Sequence, residues 1–123
     1  MAEDDDAPLR LDPFKLGRRA QELADEWADA NEAATILEDM KDVLLARLVL
    51  DILEKQPGLS MNRAQEMAKA TAEYETHIVA KAAARKSANK AKARIRGLDV
   101  YIDVARTADA SRRAMVRTAS FAG

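Results

Sequence analysis

Very few residues in this sequence can stop a helix. From Pro13 to Pro57 there is no further proline and only one glycine, Gly17; from Gly58 onward there is no proline, and Gly97 is the only glycine before Gly123. The one strong interruption is Gln56-Pro57-Gly58-Leu59, which reads as a tight turn between two unbroken stretches. Four glycines and three prolines are too few for an all-β protein, which needs turn residues about every ten positions. Abundant Ala, Leu, Glu, Lys and Arg complete the case for an all-α chain.

Local signals place the helix ends. Asp12 can accept from free N–H groups of a first turn, and Pro13 at the first helical position has no N–H to lose. Ser60 or Asn62 is positioned to cap the next helix. The expected organisation is an acidic tail over 1–11, a helix over 13–55, a turn over 56–59, a helix over 60–117 with a weak point near Gly97, and a tail over 118–123. At about 1.5 Å per residue the helices would be roughly 60 and 85 Å long. A short turn between long helices implies an antiparallel hairpin.

The apolar spacing supports a coiled-coil-like hairpin. One stripe steps by four and three through Leu16, Ala20, Leu23, Trp27, Ala30, Ala34, Leu37, Lys41, Leu44 and Leu48. A second does so through Ala70, Tyr74, His77, Lys81, Ala84, Ala88, Ala91, Ile95, Leu98, Ile102 and Ala105. Both are heptad-like seams. Folding about Pro57 sets Leu16 against Leu98, Leu23 against Ala91, and Trp27 over Ala84 and Ala88. A surplus of apolar residues (Ile36, Met40, Val43, Leu45, Val49, Leu50, Ile52, Leu53) covers faces that this seam cannot bury. Their cover is expected from another copy, with Val43, Leu50 and Leu53 at the oligomer interface, rather than from a fold-back after Gly97.

Charge is divided unevenly. Residues 1–60 hold 15 acidic and 7 basic residues, and residues 61–123 hold 6 acidic and 13 basic. Between Thr76 and Leu98 lie Lys81, Arg85, Lys86, Lys90, Lys92, Arg94 and Arg96 without a single acid. Cations along one helix form a phosphate-binding surface when they displace counterions from nucleic acid. Equally, the hairpin register sets Glu22, Asp25, Glu26, Asp29 and Glu32 beside Lys81 to Lys92, with Arg85 near Asp29 and Lys92 near Glu22, so flanking charges can neutralise one another and specify the pairing. Lys86, Lys90 and Arg94 point away from the seam and escape that neutralisation. Without interleaved aromatic residues, a base-stacking platform for single strands is not expected.

Catalysis is not expected. The chain has no cysteine and one histidine, which excludes a thiolate site and a multi-histidine metal centre within one chain. His77, near Glu73 and Lys81, reads as a packed seam residue because no nucleophile or glycine-rich loop accompanies it. Glu22, Asp25, Glu26 and Asp29 lack the Glu-x-x-His partner of bundle di-metal sites. No cofactor or small-molecule substrate is expected. The run Val43 to Leu53 is too short for a bilayer and carries Arg47 and Asp51. The acidic Met1-Ala-Glu-Asp-Asp-Asp is unlike a signal peptide, so the expected location is the cytoplasm.

The stretch from Lys90 to Met115, centred on Leu98, Ile102, Asp103, Arg106, Thr107 and Arg113, resembles the end of small helical proteins encoded by tailed bacteriophages, whose genes often neighbour recombination genes. The resemblance implies a bacterial host cell and a non-enzymatic accessory role in DNA recombination or replication. Contact with DNA or a DNA-handling protein would then involve Lys86, Lys90, Arg94, Arg106, Arg112, Arg113 and Arg117. The rival expectation is a protein-only adaptor or inhibitor that binds a host or phage protein through the acidic face of the first helix or through Asp4 to Asp6.

Overall fold

A computed structural model describes residues 12–122, with side chains through Ser120; the acidic segment 1–11, with Asp4 to Asp6, lies outside the described residues. Among the described residues there are three helices and no strand: α1 Pro13–Lys55, α2 Met61–Lys69 and α3 Ala72–Ala122.

Each boundary has a local cause. Asp12 Oδ1 accepts from the N–H groups of Phe14 at 3.0 Å and Lys15 at 3.3 Å, so it satisfies donors that the first turn of α1 would leave open. After α1, the Leu59 N–H donates to the Gln56 carbonyl at 3.1 Å. No described residue has a positive φ, so Pro57 and Gly58 form a type I turn, with proline at the position whose φ it presets. Ser60, not Asn62, caps α2: its Oγ accepts from the Arg63 N–H at 3.2 Å.

The second helical stretch does not run unbroken over 60–117 as the sequence predicts. It divides at Ala70-Thr71 and continues beyond the expected end to Ala122. The Thr71 hydroxyl donates to the Ala68 carbonyl at 2.7 Å and accepts from the Tyr74 N–H at 3.2 Å. It therefore closes α2 and caps α3 with one side chain. The Thr71 N–H also reaches back three residues to Ala68, which tightens the last turn of α2. Gly97 lies inside α3; one glycine costs a helix only about 1 kcal/mol, too little to end so long an element. No fold-back follows it.

The contacts divide the chain into two units: residues 26–91, and the segments before Glu26 and after Ala91 together. In the 26–91 unit, Leu48 and Val49 of α1 pack with Ala64 and Ala68 of α2, and Leu44, Leu45, Ile52, Leu53, Leu59 and Tyr74 surround them. Ala34, Ala88 and Ala91 are also buried there. Contacts between α1 and α3 step backward along one as they step forward along the other: Arg47 with Glu73, Leu37 with His77, Asn31 with Arg85. In the second unit Leu23 and Ala105 are buried, with Leu16, Ile95, Leu98, Tyr101 and Ile102 half-buried.

The structure revises several packing expectations. Ala20 and Ala70 are exposed, and Trp27 is only half-buried. Part of the apolar surplus of α1 is covered within the chain, because α2 supplies a neighbour that the hairpin reading lacked. Val49 is buried and Leu53 half-buried against that cluster.

The cluster is tight where α2 meets α1, since Ala64 and Ala68 retain no exposure. Ala68→Leu should lower stability by about 1–3 kcal/mol, the usual result of forcing methylenes into a packed contact. At Gly97 an added Cβ meets nothing within 4 Å. Gly97→Ala should therefore raise stability by up to about 1 kcal/mol. Denaturant unfolding followed by circular dichroism checks both; an unchanged midpoint for Ala68→Leu would refute the packing.

Candidate nucleic-acid interface

The cations of α3 differ in what they already hold. Arg85 is half-buried and occupied: its Nε donates to Glu38 Oε2 at 2.9 Å, Nη2 to Glu38 Oε1 at 2.5 Å, and Nη1 to Asn31 Oδ1 at 2.9 Å. This two-pronged grip on a carboxylate uses the planar guanidinium fork, which lysine lacks. The hydrogen bonds from Arg85, helped by its charge and that of Lys81, hold the Glu38 carboxyl below the usual carboxylate range against the opposing pull of desolvation. The same bonds raise Arg85. The partner expected from the sequence was Asp29; the side chains actually bonded lie two and nine positions further along α1.

Lys86 and Lys90 are exposed on α3 in the 26–91 unit, and neither has an ion pair among the described residues. Four positions apart, they are separated by about 6 Å of helix axis on one face. Arg94 belongs to the other unit and already has a polar interaction, which corrects the expectation that it lacks one. Further along α3, Arg106, Arg113 and Arg117 are exposed, and Arg112 pairs with Asp109 at 3.2 Å. Arg112, Arg113, Val116 and Arg117 border one shallow surface depression.

The remaining expected residues fall into two groups. Val43 and Leu50 are 59% and 67% exposed on α1, whereas Leu53 is half-buried against the α2 cluster. His77 is half-buried, and its Nε2 lies 2.7 Å from the Leu37 carbonyl oxygen. Because a carbonyl can only accept, this nitrogen carries the proton and donates. The ring also borders an open groove with Met40, Leu44, Glu73, Thr76 and Ala80. Among the described residues no group of His, Asp and Glu is placed to hold a metal ion, and no helix is long and apolar enough to cross a membrane.

Sequence reasoning missed the Glu38–Arg85–Asn31 group and the cover that α2 gives to Val49. The first joins residues 47 and 54 positions apart, so no local pattern marks it. Comparison of the chain with protein-family models, curated proteins and solved structures finds no match.

The Glu38 carboxyl is stabilised as the anion in the folded state. Its contribution is present above the ordinary glutamate pKa of about 4.3 and disappears as pH falls through the lower folded value. The thermal midpoint should fall on acidification below about pH 4. Glu38→Gln should be less stable at neutral pH and show a shallower acid dependence. Equal pH profiles for the two proteins would exclude this role.

Proposed function

We propose that this chain is a non-enzymatic helical accessory protein that binds nucleic acid through the outward face of α3 and assembles with further copies of itself. The observation that carries the reading is the pair Lys86 and Lys90: two exposed cations one turn apart, without a carboxylate among the described residues paired to either. Duplex DNA presents about one charge per 1.7 Å of axis, so the span of this pair covers several phosphates. Placing the role in phage DNA recombination or replication rests on the resemblance of residues 90–115 to phage-encoded helical proteins.

The reversed order of the α1–α3 contacts in the 26–91 unit supports an antiparallel hairpin as the scaffold. Self-association is supported by Ile36, Met40, Val43 and Leu50, which are 48–67% exposed and recur at the spacing of one helix face. A soluble protein seldom leaves such a row uncovered.

Each phosphate contact contributes about 0.9 to the log–log salt slope of duplex binding. Lys86→Gln with Lys90→Gln should therefore lower the magnitude of that slope by about 2 and weaken binding similarly on unrelated sequences. Fluorescence anisotropy across a salt series measures this. No binding by the wild type at low salt would reject the nucleic-acid reading and leave a protein partner. For assembly, Val43→Lys with Leu50→Lys should give a smaller species in light scattering, with unchanged helicity.

A further inference from the structure

The apolar row on α1 and the C-terminal part of α3 have complementary surfaces. Ile36, Met40, Val43 and Leu50 are accompanied on the exposed surface of α1 by Asp29, Glu32, Asp39, Asp51 and Glu54, none of which has an ion pair among the described residues. The one cation in the row, Arg47, is held by Glu73. On α3, every residue from Ser111 to Ser120 is exposed. That segment displays Met115 and Val116, 73% and 62% exposed, and its only charges are Arg112, Arg113 and Arg117. A helical end of this length that is exposed throughout is marginal alone and gains stability from a partner surface.

We propose that the C-terminal segment of α3 in one copy docks on the acid-framed apolar row of α1 in a second copy. Met115 and Val116 would meet Ile36, Met40 and Val43, with the arginines facing Asp39 and its neighbours. Packing row against row is the less favourable alternative, because it would bring the same carboxylates together, and juxtaposed like charges oppose association. Phosphate contact alone would leave Met115 and Val116 in water. The inference rests on the self-association proposed above and adds the identity of the two surfaces.

The absence of cysteine from the chain makes engineered thiols unambiguous reporters. Val43→Cys and Val116→Cys replace exposed side chains, so helicity should be unchanged by circular dichroism. An equimolar mixture of the two full-length variants, oxidised and mapped by mass spectrometry, should give the mixed disulfide between positions 43 and 116 well above its statistical half share. Raising salt to about 1 M, where screening acts within about 3 Å, should reduce that excess. A dominant product joining position 43 of two copies, or a statistical mixture, would overturn the docking while wild-type assembly in light scattering leaves self-association standing. A wild type that remains monomeric at high concentration overturns both. Arg112→Glu, Arg113→Glu and Arg117→Glu combined should dissociate the assembly; lost DNA affinity with undiminished mass would overturn the docking and assign the segment to phosphate.

Discussion

A methyl group is the smallest side chain that still excludes water from a helix contact, and six of the nine buried apolar residues among those described are alanines. Small residues permit close backbone approach but remove little apolar area from water, about 25 cal/mol for each Å². The fold therefore depends on many shallow contacts along two long helices rather than on one deep core. Close approach also leaves little room for change at these positions, since an added methylene has no cavity to enter. Only around Leu48 and Val49, where α2 closes over α1, do larger side chains gather into a cluster.

Such a contact surface has to be kept in one alignment by other means, because alanine faces alanine almost equally well after a shift. Directional polar contacts supply that selectivity. The Arg85 fork spans Glu38 and Asn31 and would be lost if either helix slid by a turn; His77 adds a contact to the Leu37 carbonyl. The Arg47–Glu73 pair is more exposed, and exposed pairs of this kind add little stability. The half-buried Arg85–Glu38 pair discriminates more strongly between alignments, because a slipped register would leave half-buried polar groups without partners.

Long helices that meet along narrow seams necessarily leave broad outer faces in water. On α1 that outer surface is acidic with an apolar row; on α3 it is basic, first around Lys86 and Lys90 and later around Arg112, Arg113 and Arg117. Arg85 and Lys86 are neighbours in sequence yet differ in role. One is committed to holding α3 on α1, and the other projects toward solvent. The basic run of α3 is thus part scaffold and part free surface.

Local chemistry made much of this chain legible. Asp12-Pro13, the Pro57-Gly58 turn and Ser60 act within one helical turn of themselves, so residues a few positions apart suffice to read them. The four-three spacing likewise marked the covered face of α1 and α3, because Leu23, Ala34, Leu48, Ala88, Ala91 and Ala105 share one periodicity and are all buried. What depended on tertiary structure was partner choice. Thr71 could equally have continued a helix, and its role as a break goes with α2 turning Ala64 and Ala68 onto Val49. Arg85 could have met any of several carboxylates on α1. Its long side chain reaches Glu38 rather than Asp29, because register along a seam locates backbones, whereas the reach and angle of each side chain select the atoms that bond.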